Sequence, residues 1–332
     1  MYVKIYLTDM WKRCQIKVIL KLEFIFGGIN LTLNIFLELV EIKAKIASVW
    51  PFLLGLIFVQ ANFHQLNWSV TALFFIAMLL FNMAVDINDN YQDYTKAGNQ
   101  AAEWKKKTNI IGVQHLKIHR VFALMASFAV VAGLIGLYLV WVTGWPLLVM
   151  GVLCFLVGYL YAGGPRPLSG TPTGEFFAGF TMGYLIMLIT VYLNLYQTGQ
   201  FTGMLSLRVL LASGIAVMAI AALLLANNIC DAQEDLDLNR KTIVYYLGKQ
   251  RALWLFASFY IVGYLALIAS VVLGDLPVWS LLSLISIPLI YKNVAAFFRI
   301  QVKKQTFILA VRNLAILALT TVLAELLGLW IG

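Results

Sequence analysis

Charge is what this sequence has least of. Asp, Glu, Lys and Arg make up 12% of its 332 residues, against about 25% in an ordinary soluble domain. So few charges cannot cover a water-facing surface, which excludes a soluble globular fold. Cysteine is also scarce. Cys14, Cys154 and Cys230 have no metal-ligand spacing and form no disulfide framework, so they read as small buried apolar residues. The alternating pattern of a membrane barrel is missing, which leaves helices as the spanning element. The N-terminus has no small-residue cleavage site, so no secretory signal is expected.

What is present is apolar. Hydrophobic residues reach 62% and fall in long runs, among them 121–142, 147–162, 176–196 and 252–273. Runs of about 20 such residues cross a bilayer as helices. The prediction is an all-α polytopic membrane protein, with spans at 46–63, 68–86, 120–141, 145–162, 176–196, 208–228, 251–273, 277–297 and 306–330. Residues 43–332 form one transmembrane domain. Residues 1–42 form an N-terminal extension with no assigned role: either 32–41 is an amphipathic helix lying on the membrane, or an upstream start codon adds a dispensable tail.

Nine spans make the loops alternate sides. Loops 87–119, 163–175, 229–250 and 298–305 hold Lys96, Lys105, Lys106, Lys107, Lys117, Arg166, Arg240, Lys241, Lys249, Arg299, Lys303 and Lys304. Loops 64–67, 142–144, 197–207 and 274–276 hold no Lys or Arg. The positive-inside rule puts the first set, and the N-terminus, in the cytoplasm of a multi-pass cell-membrane protein. The net charge of +9 is then a topology signal, and no nucleic-acid partner is expected.

Acids are rarer than bases, and seven of the 15 sit in two clusters: Asp86, Asp89 and Asp93, then Asp231, Glu234, Asp235 and Asp237. Each cluster ends a hydrophobic span, the second and the sixth, on the basic side. The spacing of Asp86, Asp89 and Asp93 is i, i+3, i+7, which is one helix face. Asn228, Asp231 and Asp235 repeat it. Asn82 precedes Asp86 by four residues, as Asn227 precedes Asp231, so the chain carries a weak internal repeat. Carboxylates stacked on one face repel unless a cation lies among them. Their hard oxygens suit Mg²⁺, which takes a few carboxylates plus substrate phosphates. The two faces would hold Mg²⁺ against a diphosphate, with Lys105, Lys106, Lys107, Arg240 and Lys241 neutralising the remainder. Other polar features carry less. His115 and His119 share a possible helix face but lack a third ligand, and His64 lies on the other side. "TNIIG" at 108–112, with Asn109, reads as a cap helix closing over the diphosphate. The Gly- and Pro-rich "GGPRPLSGTP" reads as a tight non-helical loop, either a lid or a connector.

Three stretches together resemble the UbiA superfamily of intramembrane prenyltransferases. "VDINDNYQD" resembles its first aspartate motif, NDxxDxxxD. "NNICDAQEDLDLNRKTIVYYLGKQRA" resembles its second, DxxxD, with the following tail. "GYLYAGGPRPLSGTPTGEFFAGF" resembles a stretch between spans four and five in the branch that prenylates 1,4-dihydroxy-2-naphthoate; Tyr161, Gly163, Gly164, Pro165, Pro167, Leu168, Gly174 and Glu175 match it. The resemblance covers roughly 43–330. Two registers fit the first motif. One has Val85 in place of Asn; the other aligns Asp89-Asn90-Tyr91-x-Asp93 with Asn-Asp-Tyr-x-Asp. Both keep Asp89 and Asp93. Cys230 stands where the branch often has Arg.

The resemblance implies a nine-helix bundle around a central cavity with a cytoplasmic cap. It also implies a Mg²⁺-dependent transferase for polyprenyl diphosphate and 1,4-dihydroxy-2-naphthoate, in menaquinone biosynthesis, with membrane lipid around the prenyl tail. The metal set is Asp86, Asp89, Asn90, Asp93, Asn227, Asp231 and Asp235. The diphosphate set is Lys105, Lys106, Arg166, Arg240, Lys241 and Asn228. Asp89, Asp93, Asp231, Asp235 and Tyr161 would be catalytic, with Tyr159 or Tyr161 sheltering the allylic cation by ring attraction. A 4-hydroxybenzoate or other quinone-ring acceptor is the alternative, and a secondary cation transporter a distant one, because transporter sites lie at the bilayer midplane rather than at helix ends.

Overall fold

The structure, a computed structural model, describes residues 31–96, 108–237 and 239–331. Among the described residues every regular element is helical. In chain order these are α1 (Leu33–Leu39), α2 (Ile46–Phe63), α3 (Trp68–Lys96), α4 (Ile110–Val113), α5 (Ile118–Thr143), α6 (Trp145–Ala162), α7 (Gly174–Leu195), α8 (Gly203–Ala212), α9 (Gly214–Cys230), α10 (Ala232–Asp237), α11 (Ile243–Leu247), α12 (Lys249–Val272), α13 (Val278–Arg299) and α14 (Lys303–Ile331). Eight of them are long and apolar enough to cross a membrane. The pair α8–α9, bent by 56° at Ser213, makes a ninth span if counted as one. The protein is therefore an all-α multi-pass membrane protein, as the apolar runs predict.

The chain divides into two compact units. One holds residues up to Lys43 and Leu80–Val131; the other holds Ala44–Leu79 and Ala132–Gly332. The smaller unit has its own apolar core of Leu39, Val40, Ile87, Ile110, Ile111, Leu116, Val121 and Leu124. α1 packs on this core at its C-terminal end: Leu39 and the following Val40 are fully buried, and Phe36 meets Phe128 edge-on at 6.3 Å, while Leu33 stays exposed. α3 stays helical for three turns beyond the expected end of its span, so Asp86, Asp89 and Asp93 do share one helix face. His115 and His119 do not: the chain leaves the helix at Gln114, and His115 adopts a left-handed backbone (φ 51°).

The larger unit is built around α9, "GIAVMAIAALLLANNIC". Its alanines and the glycines facing it let backbones approach closely. α7 relaxes into a π-helical turn at Gly179–Leu185 as it passes α9. A β-carbon on Gly183 would lie 2.6 Å from the Val217 Cα, and one on Gly214 would lie 2.5 Å from the Ala266 Cβ of α12. α9 thus packs directly on α7, α12 and α14. Side-chain hydrogen bonds tie the remaining helices: the Trp50 indole donates to Thr321 Oγ1 at 2.9 Å, joining α2 to α14. Asn194 Oδ1 accepts from the Asn67 N–H at 2.6 Å and the Thr71 hydroxyl at 3.3 Å, joining α7 to α3.

Outward-facing Leu, Val and Trp side chains line α6 and the end of α5, as lipid contact requires. Trp68, Trp141, Trp145 and Trp330 stand exposed at span ends remote from the basic loops, the positions that interfacial aromatics occupy. One arginine breaks the sequence-level charge partition, and the fold explains it. Arg208 sits in α8 rather than in a loop. It pairs with the buried Asp275, and its Nη2 donates to Asn62 Oδ1 at 3.1 Å, while the Asn62 amide reaches the Asp275 carbonyl at 3.0 Å. This charge clamps α2, α8 and the α12–α13 turn together. Cys154 and Cys230 are half-buried rather than buried, and Cys14 lies outside the described residues.

The close approach at Gly183 is testable. Gly183→Ala should overpack the α7–α9 contact and destabilise by about 1–3 kcal/mol. Gly136→Ala, where no atom lies within 4 Å of the new carbon, should keep or slightly raise the melting temperature in detergent, since alanine favours a helix interior over glycine. Equal melting of the two variants would remove the packing argument.

Candidate active site

The second acidic cluster begins where α9 runs out of apolar residues. The helix stops at Cys230. Asp231 caps it with a turn backbone (φ −95°, ψ 8°), and α10 resumes at Ala232. The hydrogen-bond ladder nevertheless continues through the break: the Asp231 N–H donates to the Asn227 carbonyl at 2.9 Å, and the Asp235 N–H to the Asp231 carbonyl at 2.8 Å. Asn228, Asp231 and Asp235 therefore keep the stacked arrangement that their spacing predicts, on a kinked rather than a straight helix.

Asp231 and Asp235 each have a cation. Lys303, the first residue of α14, bonds Asp231 Oδ2. Arg240 Nε lies 3.3 Å from Asp235 Oδ1. Asp235 is nevertheless 5% exposed, and its Oδ2 is buried with no hydrogen-bond partner. Burial pushes its carboxyl up to about 6 from an ordinary 3.8; Asp231 and Glu234 add to the rise, and Arg240 and Lys303 oppose it.

The loop between α6 and α7 packs onto this turn. Arg240 Nη2 donates to Ser169 Oγ at 3.3 Å, and the Lys241 N–H donates to the Gly170 carbonyl at 3.1 Å. A β-carbon on Gly170 would lie 3.3 Å from Arg240 Cγ. At the loop's end, Glu175 Oε1 accepts from Asn228 Nδ2 at 2.8 Å, and both residues are buried. Among the sequence-predicted residues of this unit, the fold brings Asn228, Asp231, Asp235 and Arg240 together with the 168–175 loop. Lys241 is exposed, with its ammonium 5.3 Å over the Tyr245 ring. Arg166 is exposed, Asn227 is half-buried, and Tyr161 packs partly into the core. Tyr159 is 60% exposed.

In the smaller unit, Asp86, Asp89 and Asp93 are half-buried on α3. The Asn90 amide turns back to the Asp86 carbonyl at 3.1 Å. Asn109 caps α4, accepting from the Ile111 N–H at 2.9 Å, and its own amide donates to the Asn90 carbonyl at 3.0 Å. "TNIIG" is thus fastened to the first motif's backbone. Lys105, Lys106 and Lys107 lie outside the described residues. No three His, Cys, Asp or Glu side chains converge on one point among the described residues.

Sequence reasoning missed three members of the site. Lys303 reaches Asp231 from 72 positions away, a distance over which no local pattern signals. Ser169 has no charge to draw notice. Glu175 was visible as part of the matched Gly-Glu, yet only the fold shows it buried against Asn228.

Comparison with known proteins identifies the family. Residues 48–317 match the UbiA prenyltransferase family. The chain is 30% identical over 255 residues to the 1,4-dihydroxy-2-naphthoate octaprenyltransferase of Bacillus subtilis (strain 168), a match covering 76% of this chain and 78% of that one. Its fold resembles a UbiA homologue from Aeropyrum pernix K1, with TM-score 0.65 and 16% identity over 84% of this chain and 97% of that one. It also resembles a UbiA homologue from Archaeoglobus fulgidus bound to GPP and Mg²⁺, with TM-score 0.53 and 12% identity over 90% and 100%. A transporter reading has no place beside these matches: the chain belongs to the UbiA prenyltransferase family, and it is a prenyltransferase.

Proposed function

We propose that residues 43–332 transfer a polyprenyl group from polyprenyl diphosphate to 1,4-dihydroxy-2-naphthoate at the cytoplasmic ends of the spans, releasing diphosphate and CO₂. The observation that carries the proposal is the second acidic turn, where buried Asp235 stands beside Asp231 with two cations attached and one oxygen unpartnered. Support for the acceptor comes from the named activity of the Bacillus relative and from the 161–175 loop, which packs on that turn.

The donor set fits a hard divalent cation. Asp231 and Asp235 offer carboxylate oxygens, and two carboxylates are what Mg²⁺ takes when phosphates and water complete its shell. Asp86, Asp89, Asn90 and Asp93 on α3 are the second set, and Asn227 adds an amide oxygen to the first. When bound, Mg²⁺ supplies positive charge to the oxygens of the departing diphosphate. Arg240, Lys241, Lys303 and Arg166, with Lys105 and Lys106, are the protein's own cations for that group. As the allylic C–O bond breaks, its electron pair leaves with the diphosphate. Tyr161 offers a ring face to the cation that forms. The electron-rich ring carbon bearing the carboxylate bonds to C1 of the chain, and the carboxylate departs as CO₂, its bonding pair restoring the aromatic ring. The α9 turn keeps the charged headgroup at the membrane face while the prenyl tail lies in apolar protein or lipid.

Membranes containing the protein, given Mg²⁺, a polyprenyl diphosphate and either acceptor, should yield product only with 1,4-dihydroxy-2-naphthoate, as read by product mass. Asp93→Ala and Asp235→Ala should each lower kcat by on the order of 100-fold or more. Transfer to 4-hydroxybenzoate alone would replace the acceptor reading.

Asp235 also sets a pH dependence. Its folded pKa of about 6 lies above the ordinary 3.8, so the fold favours the protonated form. Stability without metal should fall as pH rises from about 4 to about 6, then level off. A bound cation requires the carboxylate. Mg²⁺ with inorganic diphosphate should therefore raise the melting temperature more at about pH 7.5 than at about pH 5.5, and Asp235→Asn should reduce that difference. Equal shifts at both pH values would remove Asp235 from the metal set.

A further inference from the structure

The chemistry argued so far leaves Glu175 without a task. It is the second residue of α7 and only 3% exposed. One oxygen, Oε1, is held by the Asn228 amide at 2.8 Å. The other, Oε2, is buried and accepts no hydrogen bond. A half-satisfied buried carboxyl is costly to keep, and it serves best where a donor arrives in the working complex. Asn228 precedes Asp231 by three residues, which on a helix is about 4.5 Å toward the apolar interior. Glu175 is thus anchored one turn deeper than the carboxylates that face the diphosphate. That depth is where the atom attacking C1 of the prenyl chain must lie.

The reactants differ in what they can offer Oε2. The prenyl chain has no donor. Diphosphate presents anionic oxygens, which a carboxylate repels. A hydroxylated arene presents O–H groups. We propose that Glu175 positions the aromatic acceptor: Oε2 accepts a hydrogen bond from one ring hydroxyl while Oε1 stays tied to Asn228. This rests on the transferase reading above and names the residue that reads the acceptor. A hydroxyl donating to a carboxylate pushes electron density into the ring carbons ortho and para to it, which strengthens the attacking carbon. Charge-assisted hydrogen bonds of this kind are also short and directional, so the contact fixes which ring carbon faces the prenyl chain.

The test compares wild type and Glu175→Gln with three acceptors: 1,4-dihydroxy-2-naphthoate, 1-hydroxy-2-naphthoate and 4-hydroxy-2-naphthoate. The amide in Glu175→Gln still accepts from Asn228 through its oxygen but presents an N–H₂ donor to the ring hydroxyl. We expect the acceptor KM for the dihydroxy compound to rise about 10- to 100-fold. The prenyl diphosphate KM and the Mg²⁺ concentration for half-maximal rate should stay the same. With the monohydroxy acceptor that lacks the contacted hydroxyl, wild type and variant should converge. Glu175→Asp, which keeps the carboxylate on a shorter stem, should recover part of the acceptor KM; it also serves as the test variant if Glu175→Gln does not fold. A loss of equal size with all three acceptors, or a shift in diphosphate KM or Mg²⁺ requirement, would overturn the proposal. A wild-type enzyme that prenylates none of the three would instead overturn the naphthoate reading, and this inference with it.

Discussion

Charge must be neutralised where it stands when most of a chain is solvated by hydrocarbon. This constraint organises the protein. Two ion pairs of the larger unit join elements far apart in sequence, Asp231 to Lys303 and, at the other end of the spans, Arg208 to Asp275, while Asp235 and Arg240 pair across a short local turn. Such pairs are worth little on a wet surface. At a membrane face, with one partner buried, breaking a pair leaves an uncompensated charge, which is strongly destabilising. The pairs therefore fix which helix ends sit together.

Placing two carboxylates at the end of a deeply buried helix needs a scaffold that brings backbones unusually close. Small residues supply it. α9 is rich in alanine, and its neighbours use glycine where it passes: Gly179 and Gly183 on α7 and Gly263 on α12. Close packing of this kind replaces the hydrophobic driving force that lipid removes. The π-helical turn of α7 falls at the same contact. It shifts the phase of the helix between Glu175 at the site and Asn194, which ties down the far end.

Much of this was legible beforehand because it rests on short-range chemistry. Spans follow from runs of apolar residues, and the two acidic faces follow from i, i+3, i+7 spacing on helices. The expected span at 208–228 began too late, because Thr202 caps a helical arm whose bend at Ser213 no hydropathy window detects. Arg208 escaped notice as a charge inside a span, since its partner Asp275 lies 67 positions on. Lys303 and Ser169 were likewise out of reach. Their roles exist only after α14 and the α6–α7 loop arrive at the same turn.

An unpartnered buried carboxylate oxygen is not by itself a mark of function. Asp275 and Glu325 each have one, as Asp235 and Glu175 do. What separates these cases is company. Asp275 is closed into a clamp: its other oxygen takes the Arg208 guanidinium, its carbonyl takes the Asn62 amide, and its N–H bonds the Ser270 carbonyl at 2.8 Å. Glu325 lies within α14, far along the chain from either aspartate motif. Asp235 and Glu175 instead flank one short stretch of α9 and its turn, between residues 228 and 235, and the same loop packs against both. Asp231 and Glu234 crowd Asp235 in the isolated protein, a repulsion that cations relieve, and the buried Glu175 oxygen is relieved when a donor enters. A structural clamp gains nothing from that arrangement, whereas a site that must release an anion and hold a phenol gains from both halves of it.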